Sequence, residues 1–339
     1  MEKNLQKRFD EARKLIGNTP MIEIEFRYQG GAPRVLYFKL EYYNLSGSVK
    51  DRMAISVLES AYNSGALSLG HAIAETTSGN TGISLSYLGA YLGNEVLIYM
   101  PDWMSEERKK MVGAAGAKLN LLSKEQGGFK GCLAAVEKLA IENPLVFTPK
   151  QFENNDNVMA HFNTTGPEIA AQLKAFGKTC DAVIAGVGTG GTIMGIGKYL
   201  KTVNKNVKVF PLEPESSPTL KTGYQVGKHR IQGISDEFIP PIVKLDELDD
   251  IVDVDDGDAI IMAQKISRAL GLGVGISSGA NFIGAVKAQD MLGLDKTVVS
   301  IFSDDNKKYL STDLMREEPV KAGFLSPDIE LLSFRSMRA

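Results

Sequence analysis

Lys50 lies in Leu45-Ser46-Gly47-Ser48-Val49-Lys50-Asp51-Arg52, a small-residue loop that runs into a helix with Ala54, Val57, Leu58 and Ala61 on one apolar face. Ser48 and Asp51 are spaced to cap the helix start in the Ser-x-x-Asp pattern. An ammonium in the first turn faces the positive end of the helix dipole, which lowers its pKa and favours the free, nucleophilic amine. By itself this is also what a surface lysine at a helix start looks like. Three further loops decide what it means.

Gly186-Val187-Gly188-Thr189-Gly190-Gly191-Thr192 follows an apolar strand and opens a helix with Ile193, Ile196 and Leu200 on one face. Glycines let the backbone wrap closely, bare amides and the helix dipole attract a dianion, and Thr189 and Thr192 add hydroxyls: a phosphate cradle. The same spacing satisfies the dinucleotide pattern Gly186-x-Gly188-x-x-Gly191, with Glu213 placed as a ribose-binding acid, so an NAD-dependent dehydrogenase stays open at this point. Thr76-Thr77-Ser78-Gly79-Asn80-Thr81-Gly82 again joins a strand to a helix, and its hydroxyls, amide and backbone N–H groups suit a small carboxylate. Gly275-Ile276-Ser277-Ser278-Gly279-Ala280 has the same setting, with Ser277 where an N-cap hydroxyl would stand.

An activated lysine, a phosphate cradle, a carboxylate loop and a hydroxyl together supply what pyridoxal 5′-phosphate needs: a Schiff-base partner, a phosphate anchor, a substrate clamp and a partner for the ring nitrogen. Hydride transfer to a nicotinamide needs no such lysine.

These loops require strands and helices in alternation, and the sequence provides them. Strands are expected at 72–74, 96–99, 119–122, 182–185, 207–212, 251–254, 273–276 and 297–302. Helices are expected at 82–92, 105–114, 129–142, 167–176, 192–203, 256–270 and 279–292. The pattern predicts an α/β fold of mostly parallel twisted sheets flanked by helices, with ligands bound beyond the carboxyl ends of the strands. The polar stretch 151–163 and the turn Gly166-Pro167 suggest a division into a small domain at 46–155 and a larger one formed by 1–45 plus 156–306. Residues 307–339 form a C-terminal tail whose Tyr309, Phe324 and Leu331 point to a covering role over the site or a subunit contact.

The 339 residues suffice for two cores, and 43% hydrophobic with 23% charged residues is ordinary for a globular protein. Lys plus Arg number 38 against 41 Asp plus Glu, which argues against nucleic acid as a partner. The N-terminal residues show no signal-peptide core and no stretch has the length of a membrane span, so a cytoplasmic location is expected. Cys132 and Cys180 are far apart, and His71, His161 and His229 lack ligand spacing, so no metal site is expected. Trp103 reads as a loop anchor.

From Ile16-Gly17-Asn18-Thr19-Pro20 to about Ser303 the chain resembles the fold-type II pyridoxal-phosphate enzymes, specifically the cysteine synthase (O-acetylserine sulfhydrylase) and cystathionine β-synthase family. The stretches that carry the likeness occur in family order: Gly47-Ser48-Val49-Lys50-Asp51-Arg52, Thr77-Ser78-Gly79-Asn80-Thr81-Gly82, Gln151-Phe152, Thr164-Thr165-Gly166-Pro167-Glu168, the glycine loop and Gly275-Ile276-Ser277-Ser278-Gly279. The resemblance implies a two-domain, tryptophan synthase β-like fold. It implies that Lys50 forms the Schiff base and moves the Cα proton, and that Asn80 meets the cofactor's phenolic oxygen. Gly188, Thr189, Gly190, Gly191 and Thr192 would hold the phosphate, Ser277 the ring nitrogen, and Thr77, Ser78, Thr81 and Gln151 the substrate carboxylate. A neutral Ser277 leaves the ring a weaker electron sink, favouring β-elimination through α-aminoacrylate over transamination. A homodimer and a small domain that closes on substrate are also implied.

One departure from the family pattern bears on the reaction. Where Ile231-Gln232-Gly233-Ile234 continues Gly-Ala-Gly in cysteine synthases, this chain reads Ser235-Asp236-Glu237 before Phe238-Ile239-Pro240. A carboxylate facing the site would repel hydrosulfide and deprotonate water. The expectation is a lyase that converts L-cysteine and water to L-serine and hydrogen sulfide, with Asp236 as the base. The alternatives are cysteine synthase itself, acting on O-acetyl-L-serine and sulfide, and an inert binding protein that keeps the fold.

Overall fold

Val298–Phe302 is buried at every position, as a strand covered by helices on both faces must be, and it lies at the middle of a seven-stranded sheet. The structure, a computed structural model, describes residues 2–338. Its strands are β1 (Met21–Tyr28), β2 (Arg34–Leu40), β3 (Ala72–Thr76), β4 (Glu95–Pro101), β5 (Lys118–Leu122), β6 (Val146–Phe147), β7 (Ala182–Gly186), β8 (Lys208–Pro214), β9 (Val252–Val254), β10 (Val298–Phe302) and β11 (Ile329–Met337). The larger sheet runs β11-β1-β2-β10-β7-β8-β9, with β1 antiparallel to both neighbours and the rest parallel. A second, all-parallel sheet runs β5-β4-β3-β6.

Phe38, Phe282 and Phe302 stack in the larger core, with ring centroids 4.4 Å apart for Phe38–Phe302 and 5.2 Å for Phe38–Phe282. Ile73, Ile83, Leu88, Ile98 and Val112 are among the residues that fill the core around the smaller sheet. The helices Asn80–Leu92 and Gly191–Val203 each begin where a parallel strand ends, one on each sheet.

The helix Lys50–Ser64 is fixed at its start from two sides. Arg52 donates through Nε to Glu41 Oε2 at 2.6 Å and through Nη1 to Glu168 Oε1 at 2.7 Å, and Lys39 Nζ reaches Glu168 Oε2 at 2.8 Å. Val49 N–H donates to Ser303 O at 2.9 Å, and Ser48 bridges Asp304. Buried charges of this kind are stable only when paired, so the network specifies one seat for the lysine-bearing turn.

Several expectations need correction. No strand forms at 273–276: Val274 makes a single bridge with Asp305 and the helix Ile276–Leu292 has already begun, with Gly275 as N-cap, so Ser277 sits inside the first turn. The N-cap of the Lys50 helix is Val49, and the reciprocal Ser-x-x-Asp box does not form, although Ser48 Oγ accepts from Lys50 N at 3.3 Å. Asp51 turns back to accept from Ser46 N at 2.7 Å and Ser46 Oγ at 2.6 Å. The supposed turn at Gly166-Pro167 is helical, because a π-type turn at His161–Thr165 widens the backbone just before it and Pro167 falls in the first turn of Gly166–Ala175, where its missing N–H costs nothing. Strands β1, β2, β6 and β11 were not anticipated, and the tail supplies an edge strand paired to β1. No described helix is long and apolar enough to cross a membrane.

Candidate active site

A narrow cleft opens where the carboxyl ends of both sheets meet. Lys50, Thr77, Ser78, Asn80, Thr81, Gln151, Gly188, Thr189, Gly190, Thr192, Asp236 and Ser277 all line it. Gly191 does not line the cleft; it lies one residue behind, against Asn157. Stretches scattered from 50 to 277 thus converge on one cleft.

Burial lowers the pKa of Lys50, and Asp304 and Asp236 oppose the shift. Desolvation, rather than the helix end invoked from sequence, is therefore the main cause of its activation. Asp236 is half-buried; lack of solvent pushes its carboxyl up to about 6, Lys50 pulls it down and Glu237 raises it further. The same dry environment biases both groups toward their neutral forms. Glu237 instead pairs with exposed Lys130 at 3.3 Å and lies at the cleft mouth.

The carboxylate loop is knit together: Thr81 Oγ1 donates to Gln151 Oε1 at 2.6 Å and Gln151 Nε2 to Thr76 O at 2.9 Å. Glu75, buried beneath, accepts from Thr76 N at 2.9 Å and Gln151 N at 3.2 Å, and burial pushes its carboxyl up to about 7. In the glycine loop Thr189 Oγ1 accepts from Asn157 Nδ2 at 2.9 Å, and Thr192 Oγ1 lies 3.3 Å from His161 Nε2. Gly190 has φ +90°, a left-handed bend that a side chain resists. A Cβ at Gly188 would strike Gly233 O.

Sequence reasoning missed two side chains here. Asp304 is buried and accepts from Asn80 Nδ2 at 2.8 Å and Tyr309 Oη at 2.7 Å. It follows a parallel strand at its carboxyl end, which is the signal that could have found it. Arg108, fully buried, lies 4.8 Å over the Tyr309 ring and reaches Gln232. Its surroundings in sequence, Glu106-Glu107-Arg108-Lys109-Lys110, resemble a solvated helix face and give no such hint. Glu213, the residue that kept NAD open, is used instead as a cap, accepting from Leu220 N at 2.6 Å.

The donor set fits pyridoxal 5′-phosphate. Lys50 offers an amine biased toward its neutral form, the glycine loop offers a helix start with no side chains in the way, and Asn80 Oδ1 is buried without a partner among the described residues.

Residues 12–304 match the model of the pyridoxal-phosphate dependent enzyme family. A cysteine synthase of Staphylococcus aureus is 40% identical over 309 residues, covering 91% of this chain and 98% of that protein. A crystal structure of a hydrogen sulfide-producing enzyme from Fusobacterium nucleatum superposes with a TM-score of 0.96 at 54% identity, covering 98% of this chain and 100% of the other. An aspartate-to-asparagine mutant of that enzyme has been crystallised with an α-aminoacrylate intermediate. A cysteine synthase of Entamoeba histolytica superposes with a TM-score of 0.84 at 36% identity over 94% of each chain. The chain belongs to the pyridoxal-phosphate dependent enzymes, and within them to the cysteine synthase family.

Proposed function

We propose that this enzyme is a hydrogen sulfide-releasing lyase that converts L-cysteine and water to L-serine and hydrogen sulfide. The observation that carries the reading is the Asp236 carboxyl, which shares the cleft with Lys50 and is raised to about 6 by burial. Pyridoxal 5′-phosphate, when bound, supplies an electron sink that acidifies the substrate Cα–H and lets the Cβ substituent leave.

The chain does the rest. Lys50 would hold the cofactor through its amine, and Nζ is the group that takes the Cα proton. Gly188, Thr189, Gly190, Gly191 and Thr192 hold the phosphate, Asn80 and Ser277 orient the ring, and Thr77, Ser78, Thr81 and Gln151 bind the substrate carboxylate. As the C–S bond breaks, sulfur departs as hydrosulfide. Asp236 then takes one proton from water, the oxygen bonds to Cβ, Lys50 returns the proton to Cα, L-serine leaves, and Asp236 gives its proton up to solvent, which balances the hydrosulfide as hydrogen sulfide. In its ionised state Asp236 also repels the returning hydrosulfide, which biases the site toward water. The mutant of the Fusobacterium enzyme caught with its intermediate supports a role for an aspartate in such a site.

The 40% identity to cysteine synthase favours a second reading, synthesis of L-cysteine from O-acetyl-L-serine and sulfide on the same residues. Holoenzyme given L-cysteine alone, with sulfide and serine followed together, separates the two. The lyase makes both in equal amounts, and Asp236→Asn lowers serine formation by about a hundredfold or more. A kcat/KM higher for O-acetyl-L-serine plus sulfide than for L-cysteine supports the synthase instead.

A further inference from the structure

Ser235, immediately before Asp236, has φ +54°, one of four non-glycine residues in the left-handed region among the described residues. Glycine adopts this bend freely, whereas a serine must be held there. Its neighbours do so from every side. Ser235 N–H donates to Val187 O at 2.7 Å, and Ser235 Oγ donates to Ser217 O at 2.9 Å. His229 Nε2 donates to Ser235 O at 2.9 Å. Thr219 Oγ1 lies 3.1 Å from Ser235 Oγ and 3.3 Å from Asp236 O. Both peptide units flanking the Asp236 Cα are therefore gripped, while the carboxyl itself lines the cleft with Lys50. The backbone is fixed and the base is left free.

We propose, resting on the lyase reading, that Thr219 and His229 are positioning residues that hold the Ser235–Asp236 bend so that the Asp236 carboxyl faces the water that adds to Cβ. Neither touches the carboxyl, and Thr219 does not line the cleft. Their effect falls on the water-addition half of the reaction. Removal of the Cα proton and loss of sulfide, which depend on Lys50, proceed without them. When water addition fails, the elimination product leaves and is hydrolysed to pyruvate and ammonia, so L-cysteine plus water gives pyruvate, ammonia and hydrogen sulfide.

The test compares Thr219→Val, Thr219→Ser and His229→Ala holoenzymes with the wild type on L-cysteine. The ratio of serine to pyruvate is measured together with exchange of the Cα proton in deuterium oxide. Thr219→Val and His229→Ala should lower the ratio by about ten- to a hundredfold, the size expected of a misplaced catalytic group, with Cα exchange within about twofold of wild type. Thr219→Ser, which keeps the hydroxyl, should restore the ratio. An unchanged ratio in Thr219→Val, equal loss of exchange and serine formation, or no rescue by Thr219→Ser overturns the proposal. Asp236→Asn is run alongside: if it too makes serine at the wild-type rate, the failure belongs to the lyase reading rather than to the positioning residues.

Discussion

The amide of Asn80 donates to the carboxylate of Asp304 at 2.8 Å, which joins the first turn after β3 to the residues after β10. Tyr309 donates to the same oxygen at 2.7 Å, while Oδ1 of Asp304 is left without a partner. This buried charge is one of two that hold the Lys50 ammonium against desolvation. Asp304→Asn therefore lowers the pKa of Lys50 further. The rate at which pyridoxal 5′-phosphate recombines with cofactor-stripped protein follows the free amine, so its pH midpoint moves to lower pH in the variant. A midpoint moved upward contradicts the assignment.

The acidity of Asp236 predicts a pH profile for one half of the reaction. Its carboxyl titrates at about 6, above the ordinary carboxylate value, and only the ionised form accepts a proton from water. Serine formation therefore falls as pH drops through about 6. The serine-to-pyruvate ratio falls with the same midpoint, and in Asp236→Asn it is low and flat across this range.

The same shift makes a prediction for stability. The folded-state pKa lies above the unfolded one, so the folded protein binds the proton more tightly. The favourable contribution is complete below the unfolded value, near 4, and is lost as pH rises through about 6. Above that pH the native protein keeps an ionised carboxylate in a dry cleft. Asp236→Asn is therefore more stable than wild type at pH 8, by about 1–2 kcal/mol, and gains nothing at pH 4. Urea denaturation at the two pH values measures the difference.

How far the sequence revealed this site depends on the range of the interactions. The loops at Asn80 and Gly188 were legible because each combines a strand end, a helix start and small or hydroxyl residues within a few positions, and those at Lys50 and Ser277 because small and hydroxyl residues run directly into a helix. The seven helices expected between 82 and 292 were found to within three residues for the same reason, whereas Lys3–Arg13, Asn155–Ala160 and Thr219–Thr222 were not anticipated. Partnerships across the chain were not legible: Arg108 with Tyr309, Asp304 with Asn80, Arg52 with Glu41 and Glu168. Strand β11 could not be read either, because at a sheet edge most of its residues are exposed and show no apolar period. Asp236 was legible only as an anomaly. The left-handed Ser235 beside it appears once the backbone is traced.

The buried Arg52 network predicts a large stability effect unrelated to chemistry. Arg52→Ala leaves Glu41 and Glu168 without their main partner, and such unpaired buried charges cost about 3–5 kcal/mol. The Arg52 guanidinium, with hydrogen bonds, holds the Glu41 carboxyl down at about 2 despite its burial. That contribution is present above the unfolded value and is lost as pH falls toward about 2, so wild type loses it on acidification whereas Arg52→Ala lacks it already at neutral pH. Denaturation curves of the two proteins at neutral and acid pH should converge.

The most direct test of water addition by Asp236 is isotopic. Holoenzyme is given L-cysteine in oxygen-18 water, and serine is recovered and weighed by mass spectrometry against the sulfide released. Wild type is predicted to place one heavy oxygen in the serine hydroxyl for each sulfide released, and Asp236→Asn to release sulfide with almost no labelled serine. Unlabelled or absent serine from wild type, or labelled serine from Asp236→Asn at the wild-type rate, contradicts the account.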